Sequence, residues 1–517
     1  MWQPNTMPIA GSLGWSTVVA AIPIGVVIYL LGVKRTAAWV AALSGLAAAL
    51  LVALFVYRMP SAAILAAISY GTAFGLFPVS WIVVWAIMLY RLTLETGRFE
   101  ILKDSIGGLT NDRRLQALLI AFAFGAFLEG AAGFGAPVAV AAAMLAGLGF
   151  SRFEAAGLCL LANTAPVAFG SIGIPIITLA GVTGLPLQPL SAWVGRICAP
   201  VSVFIPAYLI LVMGGWSALK GVLPAAVLCG VTYAGVQWLV SNFIGPQLTD
   251  IFSSLAAIGT LLVLFKLWKP ADGSAFRGAT DATAHTHYDA KTIFAAWTPY
   301  LLLIVLVFVW GLGGVKSVLD RTTVNIAWPL LHDAKYKLNL LTASGTACLA
   351  AVLLSALFLR VGPRQFANFA ATTFRQLALP VLTIVLVLSF AFLMNYSGAT
   401  TTLGLAFAST GRTFPFFSPL LGWLGVFLVG SDTSSNALFG PLQTVTAARL
   451  GFDPALMAAA NSSGGVMGKM ISLSSIAVAV AATGLPPGEE ARLFRFTLKH
   501  SLILAGCIGV IVAIYAS

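Results

Sequence analysis

Apolar runs near the ~20 residues that cross a bilayer stand at 15–33, 37–57, 77–94, 192–213, 222–241, 249–267, 295–312, 341–359, 376–394 and 494–516. Each predicts an uninterrupted helix. Four more apolar segments, 115–150, 153–181, 415–450 and 454–483, are interrupted by glycines and short polar residues. The pattern predicts an all-α integral membrane protein with about 12–14 transmembrane elements. One clearly polar stretch, 269–293, divides the chain into an N-terminal membrane half, 1–268, and a C-terminal one, 294–517.

The interruptions correspond between the halves. FLEGAAGFGAP (127–137) and FLVGSDTSSNALFGP (427–441) align Gly130 with Gly430, an offset of 300 (430 − 130). Asn163-Thr164 precedes Gly170 as Asn461-Ser462 precedes Gly468, an offset of 298 (461 − 163). Broken helices are therefore expected at 127–137, 163–175, 427–441 and 461–473, in two inverted-type repeats with broken or re-entrant helices. Irregular backbone at membrane depth survives only where it lines a cavity, so paired breaks point to a solute-binding site.

Basic residues orient the chain. Lys34 and Arg35 end the first run, and Arg91, Arg98, Lys103, Arg113 and Arg114 occupy 91–114. Positive loops face the cytoplasm, which places the N-terminus outside and calls for an odd number of crossings between Arg58 and Arg91. The segment 60–76 is then expected as a surface or half-way helix. The first run has no basic flank before it and no cleavage site after it, so it is read as a retained span.

Composition narrows the function. Of 517 residues, 59% are hydrophobic and 9% charged, against ~25% charged in soluble domains. The net charge of +12 is scattered over short loops, where it serves topology and anionic lipid rather than nucleic acid. Cys159, Cys198, Cys229, Cys348 and Cys507 lie in apolar segments without metal-ligand spacing and read as small buried hydrophobes. His285 and His287 fall in the polar connector, without further ligands nearby. No metal or cofactor is expected. HExxH and GxSxG are absent, and SGGVMGKM (463–470) has Ser463 and Met470 where a phosphate-binding loop needs Gly and Ser/Thr. The chain does not read as an enzyme.

Ionisable side chains within spans cost about 2.5–3.5 kcal/mol each on insertion scales, which makes them functional candidates. Glu129, Asp432 and Lys469 lie in the breaks; Arg196, Arg375 and His500 lie nearer span ends. Glu129 and Asp432 are the proton-coupling candidates, although a carboxylate at a break also serves simply to cap N–H groups. For a small anion, Gly130, Gly133 and Gly135 admit close backbone approach, and new helix N-termini favour a carboxylate. Asn163, Thr164, Ser431, Thr433, Ser434, Asn436, Asn461 and Ser462 offer donors and acceptors. Lys469 is a counter-charge for a substrate or a buried carboxylate. Small residues also serve close helix packing, which tempers the reading of any single one.

Six stretches carry a resemblance: FLEGAAGFGAPVA (127–139), GLCLLANTAPVAFGSIGIPI (157–176), MNYSG (394–398), FFSPLLGWLGVFLVGSDTSSNALF (416–439), NSSGGVMGKMIS (461–472) and LFRFTLKHS (493–501). Over nearly its whole length the chain resembles the bacterial L-lactate permease family, which includes glycolate permeases. The resemblance implies a multi-pass secondary transporter of the bacterial cytoplasmic (inner) membrane, importing L-lactate, D-lactate or glycolate with a proton. KMISLSSIA departs from relatives that carry Pro after the Ser. An anion channel or facilitator without proton coupling is the alternative reading. The expected partners are the small substrate, a proton and the lipid bilayer, with no nucleic acid; a homo-oligomer is left open.

Overall fold

The computed structural model describes residues 4–276, 288–328, 330–331, 334–486 and 488–517. His285 and His287 lie outside them. Among the described residues, eleven helical segments are long and apolar enough to cross a membrane. A twelfth results if Arg152–Ala162 and Val167–Thr183, bent by 63°, are taken as one. Leu187–Phe243 is two antiparallel helices: the backbone turns at Gly215 (φ 70, ψ −167), and Gln188 Nε2 reaches the carbonyl of Asn242 at 2.6 Å. The expected element count therefore agrees with the architecture.

The residues around each break explain the local chain path. The helix that ends at Ala131 is followed by three successive left-handed residues, Gly133, Phe134 and Gly135, before Ala136–Gly147 begins. Ser151 then starts Arg152–Ala162 through a reciprocal capping pair with Glu154. A second left-handed triplet, Ser171, Ile172 and Gly173, interrupts Gly170–Thr183. In the C-terminal half, Phe414–Val429 stops at left-handed Gly430, and Ser431 caps Asp432–Leu450 by accepting from the Ser434 N–H. Asp453 caps Pro454–Lys469, and Ser472 caps Leu473–Thr483. Both segments thus run helix, break, helix, turn, helix, break, helix.

Two of the breaks fall inside their expected ranges but are narrower than expected. Pro454–Lys469 is continuous through Asn461 and Ser462, and the interruption falls at 470–472. Gly464 and Gly468 keep that helix regular because they are needed for packing: a Cβ on either would overlap the backbone of Pro419 or Trp423 on Phe414–Val429, the close approach small residues allow in lipid. In the N-terminal half the irregular backbone ends at Gly173.

Other expectations differ in detail. Ser61–Phe74 continues across a kink at Phe77 into Trp81–Glu95, a 35-residue path, and packs on Pro363–Ser397, where Gly71 meets the backbone of Ser389. The chain is not wholly helical: Val324–Ala327 pairs antiparallel with Lys335–Leu338. This hairpin is pinned to the kink by Tyr336, whose hydroxyl donates to the Phe77 carbonyl at 2.7 Å. Cys507 is exposed, because it lies on the outward face of Glu490–Ala516; the other four cysteines are buried.

The two broken segments pack reciprocally. Gly170–Thr183 lies on Asp432–Leu450, and Leu473–Thr483 lies on Ala136–Gly147. The final helix of each segment therefore covers the helix after the first break of the other. Gly440 is bare where Leu179 crosses, and Gly135 where Val478 crosses.

Candidate functional site

The breaks converge on a cavity of about 400 Å³. Its polar wall comes from both segments: Glu129, Gly135 and Ser171 from the first, Ser431, Asp432, Thr433, Ser434, Lys469, Ser474 and Ser475 from the second. Apolar walls are supplied by Val429, Val478, Pro175 and Ile174, with Leu379, Pro380 and Ile384 from Pro363–Ser397, and Trp39 and Phe134 at its edge. One ammonium, two carboxylates and a rim of hydroxyls thus face a volume in the range of small-molecule sites.

Each charged group is held differently. Lys469 Nζ donates to the carbonyl of Gly430 at 2.6 Å, which satisfies a helix-terminal acceptor and leaves two of its three donors for other partners. It lies within electrostatic reach of both Glu129 and Asp432. Asp432 opens its helix, where a negative charge is favoured. Its Oδ2 accepts from Ser462 Oγ at 2.5 Å and Asn436 Nδ2 at 3.2 Å. Behind it Asn461 Nδ2 donates to Asn436 Oδ1 at 2.9 Å, and Gln443 Nε2 donates to Asn461 Oδ1 at 3.2 Å. Asn436 Nδ2 also reaches the carbonyl of Pro175 at 3.2 Å, which ties this ladder to the other segment.

Glu129 is 5% exposed and stands near the C-terminal end of its helix, before the break. That end carries the negative pole, and Glu129 Oε2 has no hydrogen-bond partner among the described residues. Gly170 makes room for the carboxylate: a Cβ there would lie 2.6 Å from Glu129 Oε1. Glu129 and Asp432 are therefore not equivalent positions, in keeping with the offset of 300, which sets Glu129 against Val429. In backbone and contacts Gly430 resembles Gly133 rather than Gly130. Both are left-handed, and a Cβ on either would overlap the serine hydroxyl of the next break in its own half, Ser171 or Ser474.

The predicted set separates into a wall and a backing layer. Glu129, Gly135, Ser431, Asp432, Thr433, Ser434 and Lys469 line the cavity. Asn436, Asn461 and Ser462 stand behind Asp432. Gly130 packs against Asp250 and Gly133 against Ser171; Thr164 Oγ1 is turned to the carbonyl of Leu161 at 2.7 Å. Asn163 is buried with Nδ2 unpartnered among the described residues. Ser171, Ser474, Ser475 and Gln443 were missed. The serines were legible as short donors beside the breaks, whereas Gln443 sits in regular helix and carries no sequence signal.

A match to the family described as L-lactate permease covers residues 16–517. The chain belongs to the L-lactate permease family. The L-lactate permease of Bacillus subtilis (strain 168) is 47% identical over 542 residues, covering 97% of this chain and 96% of that protein. The L-lactate permease of Escherichia coli (strain K12) is 45% identical, covering 100% and 98%. Glycolate permease GlcA of the same strain is 44% identical over the same shares. A permease family is a family of transporters, which accords with a multi-pass chain whose broken helices surround a polar cavity.

Proposed function

We propose that this permease imports L-lactate and related 2-hydroxymonocarboxylates, D-lactate and glycolate, by proton symport across the bacterial inner membrane, with its N-terminus outside. The observation that carries the reading is the cavity where Lys469, Glu129 and Asp432 meet serine hydroxyls from both broken segments. The substrate carboxylate lies against the free donors of Lys469 and the N-terminal amides after Ser431. Ser431, Ser474 and Ser475 serve the 2-hydroxyl, since a hydroxyl both donates and accepts. The methyl of lactate meets the Val429 and Val478 side, and glycolate simply leaves that apolar contact unused. The named relatives, two lactate permeases and a glycolate permease, support this substrate class.

The proton rides on Glu129. Asp432 has two fixed donors on Oδ2 that suit an ionised carboxylate, with Oδ1 unpartnered among the described residues; Glu129 borders the same cavity, its Oε2 is likewise unpartnered, and it has no such pair of donors among the described residues. A lactate anion entering a negative-inside cell moves uphill by about 2.3 kcal/mol per 100 mV; one proton on Glu129 makes the loaded step neutral. The halves 1–268 and 294–517 act as inverted repeats that rock about the cavity, a reading supported by the reciprocal packing of their last helices.

Counterflow in proteoliposomes tests it. Internal unlabelled L-lactate should accelerate entry of labelled lactate, glycolate should compete, and an inward proton gradient should drive accumulation. Saturation-free flux without acceleration from the far side would instead establish a channel.

A further inference from the structure

Outside the cavity wall the fold buries a third carboxylate. Asp250, in the first turn of Thr249–Leu267, is 1% exposed. Gly130, next in sequence to Glu129, allows its approach: a Cβ on Gly130 would lie 2.7 Å from Asp250 Cβ. A carboxylate in a first turn ordinarily serves the free N–H groups there. Asp250 does not. Its Oδ1 accepts from the Tyr233 hydroxyl at 3.2 Å, and its Oδ2 has no partner among the described residues.

The surroundings are polar and unpartnered as well. Glu129 Oε2, Asn163 Nδ2 and Gln237 Oε1 are buried without a hydrogen bond among the described residues. Gln237 lies one turn from Tyr233 on the same helix face, and its Nε2 donates to the carbonyl of Ala165 at 3.1 Å, two residues beyond Asn163. The titratable groups that face Asp250 are Glu129, Tyr233 and Cys198, and Cys198 faces Tyr233 as well. Lys469 faces Glu129 and Asp432 instead. Among the described residues no cation lies between the two carboxylates, an arrangement that favours a proton on one of them.

We propose that Asp250 is a second proton-binding carboxylate of the transport cycle, exchanging its proton with Glu129 and oriented by the Tyr233 hydroxyl. The O–H bond on Glu129 breaks as one forms on Asp250, and the negative charge moves the opposite way, directly or over water. Glu129 thereby faces the substrate while Asp250 receives or delivers the proton outside the cavity. The transport role rests on the proton-symport reading above.

The test uses full-length protein in two readouts. In proteoliposomes, Asp250→Asn should keep labelled-lactate counterflow near the wild-type rate and lose accumulation driven by a proton gradient, worth about tenfold per pH unit at one proton per lactate. Tyr233→Phe should keep both modes and shift the pH at which accumulation is half-maximal. In pH-difference infrared spectra, the protonated-carboxyl C=O band should diminish in Asp250→Asn and move in Tyr233→Phe. Wild-type accumulation together with an unchanged band in Asp250→Asn overturns the proposal, as does loss of counterflow in an Asp250→Asn protein of wild-type thermal stability. A wild-type protein that never accumulates lactate on a proton gradient defeats the symport reading instead; the infrared band then still decides whether Asp250 binds a proton.

Discussion

The first breaks of the two halves share a motif and a place on the cavity, yet they hold their carboxylates in opposite ways. Asp432 begins a helix, with Ser462 and Asn436 on Oδ2, with Oδ1 unpartnered among the described residues, and with Asn461 and Gln443 behind them. Glu129 ends a helix, with an unpartnered oxygen and a second buried carboxylate nearby. The backbones differ too. The first half crosses each break through three left-handed residues, the second through one left-handed glycine at its first break and serine caps at both. In the proposed cycle a fixed anion and a titrating one occupy similar positions on one cavity, and the donors around each, rather than the residue type, are what we propose makes the distinction.

The largest effect should come from exchanging the two roles. Glu129→Gln is expected to abolish accumulation on a proton gradient, about tenfold per pH unit, while counterflow persists. Asp432→Asn should still accumulate lactate, with weaker binding. Transport assays in which Asp432→Asn alone uncouples would reverse the comparison. Next, Lys469→Gln removes a charged donor worth about 1.5–3 kcal/mol, so lactate affinity should fall roughly 10–100-fold in equilibrium binding. An unchanged Kd would remove Lys469 from the substrate contact.

Smaller effects probe the backbone. Gly133→Ala and Gly430→Ala each place a Cβ in a left-handed position against a serine, and each should lose at least about 1–2 kcal/mol. Their Tm values in detergent should fall together, whereas Ser434→Ala, on the cavity wall, should alter KM and leave Tm nearly unchanged. If only Gly430→Ala is destabilised, the likeness of Gly133 to Gly430 is wrong. The smallest effect lies at the start of Arg113–Ala131. Buried Arg114 pairs with Asp112 at 2.7 Å and with Asp272 at 2.8 Å, and hydrogen bonding to that guanidinium holds the Asp272 carboxyl below its usual range. The depressed folded value means that the contribution is full above the ordinary carboxylate pKa of about 3.9 and fades as pH falls through the lower folded value. Because Asp272 is 41% exposed, Asp272→Asn should cost under about 1 kcal/mol at neutral pH, read as a small drop in Tm that vanishes in acid.

By itself the sequence determined the membrane class, the helical architecture and the zones that form the cavity. Apolar runs fix spans, because unsatisfied backbone groups are too costly in lipid, and Gly-Ser clusters inside such runs leave few uses other than a lined cavity or close helix packing. Residue type also marked Glu129, Asp432 and Lys469, since buried charge is rare without cause. Tertiary structure decided which glycines pack and which line the cavity, as Gly130 against Asp250 and Gly135 on the wall illustrate. It also decided that Asn461 and Ser462 stay helical, because the bare faces of Gly464 and Gly468 lock their helix onto Phe414–Val429. Asp250 was hidden for the same reason: at the start of an apolar run it looks like a helix-capping acid, and only the crossing at Gly130 puts it beside Glu129. Local chain chemistry sets what a residue can do, but the donor or helix pole that faces it comes from segments far away in sequence, and no local pattern records that meeting.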